Sequence, residues 1–309
     1  MRLLHMTDVH FLGPSTLRGK LGKRSLGLAN LYLKGRRHYF DASTVVPEAI
    51  GDALKHGPDL FCLTGDVTAM SSPSEFAEGR SAFAPLLDTL PSVVIPGNHD
   101  IYTSGAQREA RMEKTFGPFM AGGTWQEGRW TGAPPLDGAA PFPTRFRVGF
   151  VDIIATNPCR PGLHASGRFP DGALQTAEEL VAESRAAGQV VIYMLHYPLL
   201  EPDGAPYKHS GHALEDLDDV LASLKRVPPH LILHGHKHIA FRVNLTAEDG
   251  SLVPILGCGT TSAVSPIRER AAGYYLIDLV PGGVERVQRR VRDASTGLFV
   301  EDETLSDPV

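Results

Sequence analysis

The sequence predicts an α/β fold in which two stacked, mixed β-sheets are flanked by helices. Through the first three quarters of the chain, short apolar or β-branched runs alternate with amphipathic helical segments, as strands covered on both faces require. After residue 239, strand-like runs follow one another with few helical signals, which indicates antiparallel pairing. The 309 residues are 42% hydrophobic, enough for a large core, and we expect residues 1–309 to form a single domain.

The elements of this fold are predicted in order along the chain. Strands are predicted at residues 2–6, 60–63, 93–95, 146–154, 190–195 and 231–233, and helices at 43–56, 74–90, 105–116, 171–187 and 212–226. Ser43 and Asp171 are residue types that begin helices, and Gly188 is a residue type that ends one. Later strands at 241–245, 252–256, 274–280 and 284–292 indicate a second, more antiparallel sheet.

Three segments do not fit this alternation. Residues 124–143 are rich in Gly, Pro and Trp without a period, and we expect a long loop there. Residues 12–39 follow the first strand as an insert or cleft cap, with an apolar stretch at 26–33 followed by basic residues up to His38. Residues 300–309 are expected to be a flexible tail.

Composition excludes several classes of protein. The formal net charge is −5 with acids and bases interspersed, so no basic field predicts nucleic-acid binding. The three cysteines, Cys62, Cys159 and Cys258, are widely spaced, which argues against a disulfide scaffold or a zinc ribbon. Neither a signal peptide nor a transmembrane stretch is apparent, and we expect a reduced, cytoplasmic protein.

Metal-competent side chains follow most of the predicted strands. They are Asp8 and His10, Asp66, Asn98 with His99 and Asp100, His196, and finally His236 and His238. In α/β sheets the carboxyl ends of strands form the binding edge, so these side chains are expected to converge. Gly65, Gly97 and Gly235 each precede a candidate ligand, where the lack of a side chain relieves crowding.

The donor types indicate the metal chemistry. Carboxylates, imidazoles and a carboxamide without thiolates suit Mn²⁺ or Fe, and Zn²⁺ as well. These donors outnumber the four that one tetrahedral ion needs. They fit two ions about 3.5–4 Å apart that share a carboxylate, an arrangement that promotes displacement at phosphorus.

The motifs resemble those of the calcineurin-like metallophosphoesterase superfamily over residues 3 to about 240. The matching blocks, all in order, are Asp8-x-His10, Gly65-Asp66, Gly97-Asn98-His99-Asp100, His196 and Gly235-His236-x-His238. The resemblance implies a four-layer αββα sandwich and hydrolysis by a metal-bridging hydroxide. It also implies residue roles: Asp8, His10 and His238 bind the first metal, Asn98, His196 and His236 bind the second, Asp66 bridges both, His99 is the general acid, and Asp100 orients His99.

Several substrate classes remain open. The sequence is most similar to class III cyclic nucleotide phosphodiesterases, in Thr7-Asp8-x-His10, Leu63-Thr64-Gly65-Asp66 and His196-x-Pro198, which implies a small phosphodiester substrate. The alternative is a pyrophosphatase acting on UDP-diacylglucosamine or another lipid-linked phosphate, with residues 26–38 touching lipid. A third possibility is that the protein is not an enzyme but a non-catalytic metal-binding scaffold. Possible substrate contacts are Arg160, His164, His209 and His212.

Overall fold

A computed structural model describes residues 1–13, 39–101, 103–133, 136, 138–162 and 164–308 of the chain. The insert predicted over residues 12–39, including its segment 26–38, lies almost entirely outside the described residues. Within the described ranges, no helix combines the length and the apolar character needed to cross a membrane.

Strands and helices are numbered in chain order. The strands are β1 (Arg2–Met6), β2 (Leu60–Leu63), β3 (Ser92–Val94), β4 (Gly123–Gln126), β5 (Arg129–Thr131), β6 (Thr144–Val148), β7 (Val151–Ala155), β8 (Val190–Met194), β9 (Leu231–His234), β10 (Ala240–Thr246), β11 (Leu252–Cys258), β12 (Gly273–Val280), β13 (Gly283–Arg292), β14 (Phe299–Glu301) and β15 (Asp307–Pro308). The helices are α1 (Ala42–Leu54), α2 (Pro73–Ala82), α3 (Ala84–Leu87), α4 (Ser104–Arg108), α5 (Arg111–Phe116), α6 (Ala173–Ala186) and α7 (Leu217–Arg226).

The described strands form two mixed sheets. The first has the order β14-β13-β12-β1-β2-β3, with β15 also paired to β13. Here β1, β2 and β3 run parallel, whereas β12 lies antiparallel to β1. The second sheet has the order β10-β11-β9-β8-β7-β6-β4-β5, with β7, β8, β9 and β11 parallel. Each sheet therefore contributes a group of neighbouring parallel strands, three in the first and four in the second, whose carboxyl ends lie at one edge.

The alternation of side chains along the strands produces the layers. Leu3 and Cys62 face the second sheet, where they join Ile192 in the core between the sheets. Their neighbours Leu4 and Phe61 face the opposite way and pack against α1. A third cluster joins the outer face of the second sheet to α6 and α7. The predicted fold class, two mixed sheets with flanking helices, is confirmed.

Several local predictions are corrected by the structure. The apolar run 146–154 is not one strand but the antiparallel pair β6 and β7, because the chain reverses at Gly149, which has φ of +57°. The predicted loop 124–143 contains the hairpin of β4 and β5, in which Trp125 faces Trp130. The helix predicted at 74–90 divides at Phe83, since Pro85 has no N–H for the helix ladder. The helix predicted at 105–116 divides at Ala110, which has φ of +48°.

The C-terminal strands also differ from the prediction. They do not form a sheet of their own: β10 and β11 extend the second sheet beside β9, whereas β12 and β13 extend the first beside β1. The helix predicted from residue 212 begins at Leu217. A flexible tail is predicted over residues 300–309. In the described part of that segment, β14 and β15 pair with β13, and Asp302 forms an ion pair with the buried Arg289.

Candidate metal centre

The parallel strands bring the predicted ligands together at their carboxyl ends. Side-chain donor atoms of Asp8, His10, Asp66 and His238 all lie within 4.8 Å of one another, and so do those of Asp66, His196 and His236. Asp66 belongs to both groups. Asn98 joins the second, because its Oδ1 lies 2.7 Å from His236 Nδ1 and 3.1 Å from His196 Nε2. The two groups form one cluster of donors with a shared carboxylate.

Five of these residues have a left-handed backbone, which is uncommon outside glycine. The φ angles are +52° at Asp8 and His10, +53° at Asp66, +71° at His236 and +54° at His238. Each such conformation costs about 1–3 kcal/mol unless the surroundings hold it in place, and such strain concentrates at functional sites. The turns after β1, β2 and β9 are therefore shaped to direct side chains into the cluster.

Two of the predicted glycines are required by close approach. A Cβ on Gly97 would lie 2.1 Å from Asp66 Oδ1, and a Cβ on Gly235 would lie 2.1 Å from Asp8 Oδ2. Both distances are far inside van der Waals contact. The loops can therefore cross beside the two carboxylates only where no side chain is present.

The electrostatics of the cluster suit metal binding. Burial lowers the pKa of His10 to about 4 and that of His236 to about 3. Burial acts to raise the pKa of Asp8 and of Asp66, but neighbouring histidines outweigh it and hold both below the usual range. Near neutral pH these imidazoles are neutral and these carboxyls ionised, the forms that bind metals.

His196 behaves differently from the other histidines. Its ring is fully buried, which acts to lower its pKa, but the Asp66 carboxylate 3.3 Å away outweighs burial and raises the pKa to about 9. A cation at this position would replace the proton as the partner of Asp66. His196 Nδ1 donates a hydrogen bond to the Thr64 carbonyl at 2.8 Å. This bond directs Nε2 toward Asn98 and Asp66.

The two oxygens of the Asp8 carboxylate have different partners. Asp8 Oδ2 accepts from Thr7 Oγ1 at 2.7 Å and from the His236 backbone N–H at 2.9 Å. Asp8 Oδ1 lies 3.0 Å from His238 Nε2 and 3.7 Å from His10 Nε2, and Asp8 is completely buried. A cation held between this oxygen and the two imidazole nitrogens would satisfy all three donors. This group and the thiolate-free donor set both fit a divalent metal centre.

His99 lies at the rim of this cluster and is held from two sides. Its backbone N–H donates to Asp66 Oδ1 at 2.7 Å, and its Nδ1 donates to the Ala69 carbonyl at 2.7 Å. Its ring centroid lies 4.9 Å from that of His10. The Ala69 contact holds the ring and places the proton of that nitrogen on the side facing the Ala69 carbonyl.

The Asp100 carboxylate accepts hydrogen bonds from two loops beside the cluster. The buried Asp100 carboxylate accepts from the backbone N–H groups of Gly97, Val67 and Thr68 at 3.0, 3.2 and 2.9 Å. It also accepts from the Thr68 hydroxyl at 3.0 Å. Asp100 thus ties the loop after β3 to the loop after β2.

The four predicted substrate contacts are exposed, and their distances from the cluster differ. His212 is nearest, since its carbonyl accepts from His236 Nε2 at 2.9 Å. His164 and His209 line a neighbouring cleft of about 720 Å³. His209 is held by Glu201 at 2.6 Å, and Arg160 forms an ion pair with Glu215.

Sequence reasoning missed two features of the site. Phe40 packs its ring against His10 and His238, with centroids 4.6 and 5.2 Å apart. The hydroxyls of Thr260 and Ser262 bond the backbone beside Asp8. Neither feature has a distinctive motif. The signal available was the polar run 260–262 after a predicted apolar strand.

Comparisons with known proteins agree with this geometry. The family model "Calcineurin-like phosphoesterase" matches residues 1–240. A probable cyclic nucleotide phosphodiesterase from Synechococcus sp. is 25% identical over 245 residues, which cover 77% of this chain and 78% of that protein.

Solved structures with the same fold are more distant in sequence. A purple acid phosphatase from yellow lupin seeds has a TM-score of 0.60 at 13% identity, with 97% of this chain and 52% of that one covered. A dimetal phosphatase from Danio rerio has a TM-score of 0.54 at 12% identity, covering 97% and 98%. The resemblance noted in the sequence is confirmed, and the non-catalytic scaffold is not supported. The chain belongs to the calcineurin-like phosphoesterase family and is a metal-dependent phosphoester hydrolase.

Proposed function

We propose that this enzyme is a phosphodiesterase that cleaves cyclic nucleotides or similar small phosphodiesters at a binuclear metal centre. The observation that carries the proposal is the pair of donor groups that share Asp66. Asp8, His10 and His238 would hold one metal, Asn98, His196 and His236 would hold the other, and Asp66 would be shared by both. Mn²⁺ and Fe suit these donors, and Zn²⁺ is accepted by the same set.

In this proposal the metals activate water and neutralise charge on the phosphoryl oxygens when bound. His99 supplies the proton that the leaving oxygen needs. Its Nδ1–H donates to Ala69 O, so the transferred proton is the one on Nε2 and the reactive form is the imidazolium. The Asp66 carboxylate, which accepts from the His99 backbone N–H, helps to hold this residue beside the cluster.

Two observations support a nucleotide substrate. The relative from Synechococcus sp. carries the name of a probable cyclic nucleotide phosphodiesterase. The half-buried Phe40 ring lies beside His10 and His238, where a planar base could stack. The lipid-linked alternative depends on residues 26–38, which lie outside the described part of the chain. UDP-diacylglucosamine in a substrate panel tests it.

A substrate panel tests the proposal directly. Purified protein with Mn²⁺ is offered 3′,5′- and 2′,3′-cyclic nucleotides, bis(p-nitrophenyl) phosphate and UDP-diacylglucosamine. We expect the highest kcat/KM on a cyclic nucleotide. Preference for UDP-diacylglucosamine would instead favour the hypothesis of a lipid-linked substrate. Failure to hydrolyse any diester would contradict the phosphodiesterase proposal.

Replacing Phe40 with Ala tests the stacking contact. Loss of base stacking costs about 1–3 kcal/mol, so we expect KM for the cyclic nucleotide to rise by roughly tenfold. Phe40→Tyr, which keeps the ring, is the matched control and should retain the wild-type KM. Hydrolysis of dimethyl phosphate, which has no ring, should be unchanged in both variants. An equal loss on both substrates would mean that Phe40 supports the metal ligands and does not bind the base.

A further inference from the structure

We propose that Thr260 and Ser262 are positioning residues that hold Asp8 and His10 in the geometry needed to bind metal. Both lie outside residues 1–240, the part matched by the family model. The inference rests on the proposed function, because it takes Asp8 and His10 as metal ligands. Thr260 and Ser262 lie in the loop between β11 and β12, so this loop would have a role at the metal centre.

Four polar groups of the Asp8–His10 backbone are satisfied, two from each side. On one side, the N–H groups of Asp8 and His10 donate to the carbonyls of Gly65 and Asp66, each at 3.0 Å. On the other side, Thr260 Oγ1 donates to the Asp8 carbonyl and Ser262 Oγ donates to the Val9 carbonyl, each at 2.7 Å. The first side belongs to the loop after β2, and the second is made of side chains.

Hydroxyls are needed on the second side because the strand ladder ends there. Pairing of β1 with β12 stops at His5 and Tyr275, and one further backbone bond joins Thr261 N to Thr7 O at 3.0 Å. Beyond that point the left-handed residues Asp8 and His10 break the extended geometry. Backbone carbonyls buried in such a segment still require donors, and the two hydroxyls supply them.

The two hydroxyls are themselves held in place. Thr260 and Ser262 are completely buried, and the Ser262 N–H donates to Thr260 Oγ1 at 3.1 Å. The intervening Thr261 donates its hydroxyl to the Gly273 carbonyl at 3.2 Å and accepts from Thr7 N at 3.2 Å. The segment 260–262 is therefore a rigid support, and it acts on the peptide groups that set the direction of the Asp8 and His10 side chains.

The experiment compares Thr260→Val, which keeps the shape but removes the donor, with Thr260→Ser, which keeps the donor. Ser262→Ala tests the second hydroxyl. Ser92→Ala is the matched control, because Ser92 is a fully buried serine at the amino end of β3 that donates to the Leu90 carbonyl at 3.0 Å. The dissociation constant for Mn²⁺ is measured by titration calorimetry, bound metal by elemental analysis, and Tm in EDTA for each protein.

We expect Thr260→Val and Ser262→Ala to weaken Mn²⁺ binding by roughly 10–100-fold, the range typical of residues that support metal ligands. Their kcat should recover at saturating Mn²⁺. Thr260→Ser and Ser92→Ala should bind Mn²⁺ as the wild type does. If Thr260→Val does not fold, Ser262→Ala and Thr260→Ser still decide the inference.

Two outcomes would overturn this assignment for different reasons. Equal Mn²⁺ affinity in the wild type, Thr260→Val and Ser262→Ala, with only Tm lowered, would show that the hydroxyls stabilise the fold alone. A wild-type chain that takes up no Mn²⁺, Fe or Zn²⁺ would instead contradict the proposed metal centre, and the inference with it.

Discussion

Replacing Asp66 with Ala is expected to abolish both metal uptake and hydrolysis. Asp66 is the residue common to the two donor groups, and it is 1% exposed. Its Oδ2 lies 3.3 Å from His196 Nε2 and 3.9 Å from His10 Nε2, so the same oxygen faces ligands of both proposed metals. Loss of this carboxylate removes a shared ligand and takes away the carboxylate that pairs with His196.

The measurement is metal content by elemental analysis together with turnover of bis(p-nitrophenyl) phosphate. The wild type should retain two metals per chain after dialysis, and Asp66→Ala should retain neither and hydrolyse nothing above background. Asp152→Asn is the control, because Asp152 is also completely buried but pairs with Arg147 in the second sheet. An Asp66→Ala variant with two metals and full activity would remove the bridging role.

Replacing His99 with Ala should have an effect that depends on the leaving group. An alkoxide needs a proton as it departs, so we expect kcat on a cyclic nucleotide to fall by roughly 10²–10⁴-fold, the usual contribution of a general acid. The p-nitrophenolate anion is stable without a proton, and turnover of bis(p-nitrophenyl) phosphate should fall much less. Comparison of the two losses within one variant measures the role of the proton.

Metal content serves as the control for this variant. His99 belongs to neither donor group, so His99→Ala should keep the metal content of the wild type. Its backbone N–H bond to Asp66 does not depend on the side chain. Equal losses on the two substrates, with metal retained, would contradict the general-acid role and leave His99 as a binding residue.

The convergence of the ligands could be predicted because it depends on a local rule. Residues that follow parallel strands meet at the carboxyl edge of their sheets, and Asp8, Asp66 and His196 each follow a strand that short-range sequence patterns identify. The identity of the donors then indicates the metal chemistry without knowledge of which strands are neighbours.

The features that could not be predicted depend on contacts between distant segments. Strand order is not encoded in the pattern of any one strand, so the division of β10 to β13 between two sheets was missed. Thr260 supports Asp8 through a bond that spans 252 positions in sequence. Phe40 is an ordinary apolar residue until the fold places it against His10. The resemblance implies an orienting role for Asp100, but the three backbone N–H groups and the hydroxyl that donate to its carboxylate could not be read from the sequence.

The central position of β1 has a consequence for how the protein is made. A ribosome delivers β1 well before β12, yet the register of the two strands joins residues 2–5 to residues 275–278. One edge of β1 therefore stays unpaired until β12 has emerged, and exposed edges and late long-range pairing favour slow folding and aggregation. A fragment limited to residues 1–240 would lack both β12 and the segment 260–262. The region that identifies the family is thus not expected to be a working unit when expressed alone.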